Sequence, residues 1–268
     1  MTLSALLASL PPWLCASLVV GSPVACVIGA VVLVRRRFPY AVLRPHNDVT
    51  GLVFAAVAAI YGIILAFVVV EVWSQYSCAQ TIADDESSEA YALYRDLNLY
   101  PNTAEAAKGQ AALRVFVLSV VRDEYPAIKA LNWGSRDQAL LKTQNFLNNF
   151  LSSLRQITPR NLQEQAFFSE LLKHANNLEQ NRVKRRLAAQ SDLPGALWAV
   201  VILGGVITLS FVTLLGLDNF RHHLLIGMLL AIVIGGAIFV IVIMNFPFSG
   251  EISINPDGYN YLIELAGW

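Results

Sequence analysis

Acidic residues crowd one short stretch of this chain. Asp84, Asp85 and Glu86 are consecutive, Glu89 follows, and Glu71 and Gln75 precede them. At 100° per residue, Gln75, Asp85, Glu86 and Glu89 all fall within about 60° of Glu71 on a helical wheel. Followed toward the amino end, the same face carries Phe67, Ile64, Ile60, Val57 and Val53. An apolar face thus leads into an acidic one. Were several copies of such a helix to ring an axis, Val53, Val57, Ile60, Ile64, Phe67, Glu71 and Gln75 would line a pore. Its apolar residues would form a hydrophobic constriction, and Asp85, Glu86 and Glu89 a charged vestibule for ions. The alternative is plainer: the apolar face meets lipid or neighbouring helices, and the acids are a solvated face. Glu71 stands at the edge of an uncharged span, where an ionisable side chain commonly faces a cavity or a partner. Trp73 beside it marks that level as the membrane interface.

Other chemistry is sparse. The chain has no P-loop, no dinucleotide fingerprint, no HExxH and no GxSxG. Of the four histidines, His222 and His223 are adjacent and cannot share a helix face at metal-binding spacing; His46 and His174 stand alone. Cys15, Cys26 and Cys78 are far apart and read as small hydrophobes rather than a disulfide framework. Neither an enzyme nor a metal or cofactor site is expected. A net charge of zero argues against nucleic acid as a partner.

The elements that must carry the acidic and apolar face are membrane helices. With 56% hydrophobic and only 14% charged residues, against about 25% charged in soluble domains, the chain reads as a membrane protein. Four apolar segments stand out: Leu14–Val34, Gly51–Val70, Ala196–Leu217 and Leu224–Met244. The second is uncharged over a length of about 30 Å as a helix, the thickness of the hydrocarbon core. No Pro or Gly falls between Ile63 and Tyr100, so one helix is expected to cross the lipid and continue beyond it. The link between the last two segments forces an antiparallel hairpin. Small residues recur every four positions at Gly21/Ala25/Gly29, Ala58/Gly62/Ala66 and Gly227/Ala231/Gly235, a spacing that lets helices approach closely in lipid.

Between the second and third segments, the expected helices cover Thr103–Tyr125, Ser135–Ile157 and Asn161–Ala189. The fold class is therefore all-α: four transmembrane helices with a helical-bundle extramembrane domain inserted between helices two and three. The divisions are 1–73 for the first two spans, 74–195 for the helical domain, 196–246 for the hairpin and 247–268 for a tail. The run Asn245–Pro256 is too rich in Pro and Gly to continue the helix, and Phe246, Phe248, Tyr259, Tyr261 and Trp268 suit the interface or a pocket against the helical domain. Arg35, Arg36, Arg37, Arg44 and Arg221 occupy the two short loops, and both termini lack Lys and Arg. The positive-inside rule then puts the short loops in the cytoplasm and the helical domain outside, on the periplasmic face of a bacterial inner membrane. The cluster Arg182, Lys184, Arg185 and Arg186 runs against that rule.

Several of these residues resemble a known family. Asn47-Asp48 before Thr50-Gly51, the run Tyr61-Gly62-Ile63-Ile64-Leu65-Ala66-Phe67, and Trp73 with Tyr76 are similar to the bestrophin-like domain proteins. So are the acids between Ala79 and Glu89, Tyr94-Arg95, and Pro247-Phe248-Ser249-Gly250 after the last span. These are bacterial and plant membrane proteins. The kinship to bestrophins that the family name suggests implies a homo-oligomeric anion channel whose second spanning helix lines an apolar neck. It also implies a cytoplasmic helical domain, opposite to the charge-based orientation, and the bestrophin calcium-clasp sequence is missing. The function expected is a homo-oligomeric ion channel embedded in the lipid bilayer and lined by the second helix. The alternative is a non-conducting scaffold or sensor whose helical domain binds a partner.

Overall fold

A computed structural model describes residues 6–7, 10–38, 40–101, 103–130, 133–190 and 192–268. The helices in chain order are α1 (Pro12–Arg37), α2 (Asn47–Leu99), α3 (Thr103–Ser119), α4 (Tyr125–Lys129), α5 (Trp133–Leu154), α6 (Leu162–Ala188), α7 (Gly195–Thr213), α8 (Phe220–Met244) and α9 (Asp257–Ala266). Short helical turns, Tyr40–Leu43 and Arg44–His46, lead into α2, and a π-helical turn, Val120–Glu124, joins α3 to α4. No strand occurs among the described residues. The segments containing α1, α2, α7 and α8 are long and apolar enough to cross a membrane. As its uninterrupted sequence requires, α2 is one helix from Asn47 to Leu99.

The chain forms two compact units, Met1–Gln75 with Asp192–Asn245, and Tyr76–Ser191 with Phe246–Trp268. In the first, α2 turns Tyr61, Leu65, Val68 and Val72 inward, spaced as one helix face. The Tyr61 hydroxyl donates to the Val201 carbonyl at 3.0 Å, and its ring lies where a Cβ on Gly204 would be. Among the described residues, the α8 stripe is the one of the three that packs closely within the chain. A Cβ on Gly235 would come within 2.9 Å of the Val20 backbone, and Ala231 is fully buried, whereas Gly21, Gly29 and Gly62 look onto open space.

Asn47 closes one end of this unit. Its Nδ2 donates to the Gly216 carbonyl and its Oδ1 accepts from the Gly216 N–H, both at 2.8 Å, so the start of α2 is tied to the α7–α8 link. On the same link the Arg35 guanidinium donates to the Asp218 carbonyl at 2.7 Å. Both histidines of the pair lie in the first turn of α8: His223 is buried, with Nε2 2.8 Å from the Val212 carbonyl, while His222 is exposed.

In the second unit, α2, α3, α5, α6 and α9 enclose a core of Leu93, Leu97, Phe116, Leu147, Phe150 and Leu171, among others. Helix α6 begins with a side-chain cap: Asn161 Oδ1 accepts from the Glu164 N–H at 2.8 Å, and the Glu164 carboxylate reaches back to accept from the Arg160 N–H at 2.8 Å. One expectation is corrected here. The helix expected to close at Tyr125 instead passes through the π turn and continues to Lys129. Pro126, which has no N–H to offer, stands in the first turn of α4, where none is required. The tail contains the helix α9, whose Tyr259 and Leu262 point into the core. It ends at Gly267 in the left-handed conformation, φ 67°, which favours glycine.

Candidate functional site

The residues expected to line a pore lie on the membrane portion of α2. Because Tyr61, Leu65, Val68 and Val72 take the inward face, much of the opposite side of the helix's membrane portion is exposed within the chain. Val53, Ile60 and Phe67 are 41%, 61% and 70% exposed, and Val57 and Ile64 are half-buried. Glu71 is exposed and accepts a 2.8 Å bond from Gln75 Nε2, with Gln75 half-buried. The uncovered arc is wider than the expected set, since Leu52, Ile63 and Val70 are also exposed. The set therefore occupies the part of the arc flanking the packed face.

The acids of the second unit part company. Asp85 is exposed. Glu89 is partly buried: its Oε2 lies 2.6 Å from His174 Nδ1, and its Oε1 accepts from Asn177 Nδ2 at 3.0 Å. On the other side of that imidazole, Nε2 is 3.6 Å from Asp96, which also pairs with Arg95 at 2.8 Å.

Glu86 departs from the expectation. It is fully buried and cannot face a vestibule. The reason is register: Ala79, Ala83, Glu86, Ala90, Leu93 and Leu97 follow one another at four- and three-residue steps and form the buried stripe of α2. Two other stripes also run from apolar residues into charge. On α6 it is Leu171, Ala175, Leu178, Arg182, Arg185, and on α3 with its π turn it is Leu113, Val117, Val120, Glu124. The four charged side chains meet in the core.

Each arginine bridges both carboxylates. Arg185 donates through Nε and Nη2 to Glu86, and through Nη2 to Glu124 at 2.7 Å. Arg182 Nη2 donates to Glu124 at 2.5 Å, and its Nη1 lies 3.6 Å from Glu86. The Tyr259 hydroxyl from α9 donates to Glu86 at 2.9 Å. The guanidinium groups also lie over aromatic rings, Arg182 on Phe116 at 5.3 Å and Arg185 on Tyr125 at 5.0 Å. Two positive and two negative groups cancel, which is how four charges are tolerated out of water. Burial alone would push the Glu124 carboxyl up, but Arg185 and Arg182 outweigh it and hold the group below its ordinary value. For Arg185, burial works against the charge and the two glutamates overcome it, leaving the guanidinium well above its usual range. Burial, reinforced by Glu86, drives the Tyr259 phenol well upward.

This arrangement holds charge: the two guanidinium groups keep Glu124 a carboxylate, and the Tyr259 hydroxyl serves as a donor to Glu86. Among the described residues no group of three or more His, Cys, Asp or Glu side chains is placed to hold a metal ion. The arginines that run against the positive-inside rule are thus partly internal: Arg182 and Arg185 are neutralised in the core, while Lys184 remains on the surface.

Comparison with known proteins agrees with these features. A family model, the bestrophin-like domain, matches residues 21–259, a span running from α1 into α9. No curated protein and no solved structure matches. Asn47, Tyr61, the acids around Glu86 and the Pro247–Gly250 turn, where Ser249 donates to the Ile128 carbonyl at 3.2 Å, all fall inside the matched span. The chain belongs to the bestrophin-like domain family of membrane proteins.

Proposed function

We propose that this protein is a homo-oligomeric ion channel of the cell membrane, lined by α2. The observation that carries the reading is the uncovered apolar arc on a membrane helix whose opposite face is fully packed. Family membership supports it. Val53, Val57, Ile60, Ile64 and Phe67 of successive copies form the neck, where a narrow apolar passage opposes ions by excluding water. Glu71 and Gln75 form the polar ring at its mouth. Asp85 and Glu89 supply the vestibule acids, and Glu86 is left out because it is buried. The second unit stands outside the bilayer as the domain inserted between the second and third spans. The short loops bearing Arg35, Arg36, Arg37, Arg44 and Arg221 lie in the cytoplasm, which puts that domain on the outer face. No enzymatic step is assigned. The test is ionic current across a bilayer holding the purified protein. Ile64→Ala and Phe67→Ala should each raise leak conductance, and currents equal to wild type from normally assembled protein would remove the neck.

A second reading has one observation in its favour. In the second unit, Val183 and Leu187 stand one turn apart on α6, 51% and 64% exposed, and Leu141 of α5 is 68% exposed. Apolar side chains held in water on a helical domain suit a scaffold or sensor that binds a partner. Abolished currents in every variant, together with capture of one stoichiometric partner that Leu187→Glu releases, would favour that reading.

A further inference from the structure

Within the first unit a crevice of about 370 Å³ runs between α1 and α7, inside the size range of pockets that hold ligands. Its walls include Ser22, Cys26 and Ala30 of α1 and Val206, Leu209 and Ser210 of α7. The hydroxyls of the α7 wall are already engaged: Ser210 donates to the Val206 carbonyl at 2.7 Å, and Thr213 to the Ser210 carbonyl at 2.8 Å. The lining thus offers an occupant small apolar contacts and little hydrogen bonding, which fits a hydrocarbon chain rather than a polar solute. The crevice lies among helices long and apolar enough to cross the bilayer, so acyl chains are what it meets.

Beyond its end toward the loops, α1 carries three arginines, Arg35, Arg36 and Arg37. At 100° per residue, Arg37 falls within about 60° of Ser22, Cys26 and Ala30, on the crevice face of α1. Arg36 and Arg37 are exposed and pair with no carboxylate among the described residues. Arg35, in contrast, is held inward by the Asp218 carbonyl and by Phe220, whose ring lies 5.2 Å from the guanidinium. Ala30 to Arg37 is about 10 Å of helix. A chain in the crevice can therefore carry a phosphate at the level of the free arginines.

We propose that this crevice binds an anionic phospholipid, one acyl chain between α1 and α7 and the phosphate on Arg36 and Arg37. Charge selects the headgroup, and the small residues Ser22, Cys26 and Ala30 leave room for the chain. This site does not depend on whether α2 conducts.

The test uses the full chain in nanodiscs of phosphatidylglycerol and phosphatidylcholine, with bound lipid read by native mass spectrometry. Wild type should retain phosphatidylglycerol in preference to phosphatidylcholine. Each arginine neutralised should weaken that preference about fivefold, so Arg36→Gln with Arg37→Gln should lower it by about 25-fold. Ala30→Trp should displace the chain and remove the bound lipid, and Val206→Trp repeats the test from the opposite wall should the first variant fail to fold. Phosphatidylglycerol retained unchanged in both Trp variants would overturn the proposal. So would an unaltered headgroup preference in the double Gln variant. Cys26 is an exposed thiol in the wall, so disulfide cross-linking of Cys26 between copies would identify a second copy as the occupant, and would also overturn it.

Discussion

Replacing Arg185 by Met removes the centre of the buried charge cluster. The guanidinium has no exposed surface, bonds both Glu86 and Glu124, and lies over Tyr125. After the change, two buried carboxylates share Arg182 alone, which already holds Glu124 at 2.5 Å and reaches Glu86 only at 3.6 Å. Breaking a buried ion pair by deleting one partner costs about 3–5 kcal/mol, because the other charge is left uncompensated. For a unit of this size that lowers the thermal midpoint by about 10–15 °C. Pairing the change with Glu86→Gln is the sharper test. The double variant keeps Arg182 and Glu124 as a neutral pair, and the introduced amide still offers an oxygen to the Tyr259 hydroxyl. It should therefore be more stable than Arg185→Met alone, with a coupling of about 2 kcal/mol between the sites. The assay is tryptophan fluorescence in detergent at a fixed heating rate. Trp268 reports on this unit because its ring meets Tyr94 edge-on at 5.3 Å. Hydrogen exchange along α6 localises the loss. A shift smaller than that of about 1 kcal/mol, or a double variant no better than the single, would refute the reasoning.

Three further outcomes follow from the same geometry. The folded Glu124 carboxyl is held below its ordinary value of 4.5, so its contribution to stability is complete above that pH and is lost as pH falls through the lower folded value. The stability gap between wild type and Glu124→Gln should thus narrow in melts run below pH 4.5, and a gap that stays constant well into the acid range would contradict the assignment. Asn47→Ala removes both bonds to Gly216 and should lower stability by about 1–3 kcal/mol; a melt equal to wild type would show that the tie carries no weight. Glu71→Gln should change the cation-to-anion permeability ratio measured from reversal potentials, and an identical ratio would take Glu71 out of the pore.

Much of the membrane portion was legible because few residues can satisfy a backbone in lipid except as uninterrupted apolar helix. Gly51–Val70 has no charge and α2 no breaker beyond Gly62, and the helix is continuous. The α6 start was also readable, since Asn161 and Glu164 are a capping pair and the helix begins one residue after Asn161. The role of Glu86 was hidden by its neighbours. A wheel centred on Glu71 places it with Asp85 and Glu89, and only the apolar stripe Ala79–Ala83–Ala90–Leu93 reveals that it points inward. Its partner, Arg185, lies 99 residues away and stands in what reads as a surface basic cluster. The stripe Leu171–Ala175–Leu178–Arg182–Arg185 was the available signal. Helix α9 was masked by the prolines and glycines before it, although Tyr259, Leu262 and Ile263 sit at helical spacing. The π turn at Val120–Glu124 has no sequence signal that local propensity can supply.

The channel reading stands or falls on where α2 faces in the assembled protein. Imaging the purified chain in nanodiscs would decide it. A closed ring of identical copies, with Ile60, Ile64 and Phe67 directed at the central axis, is the predicted result. A monomer, or a ring in which those side chains meet lipid, would contradict it.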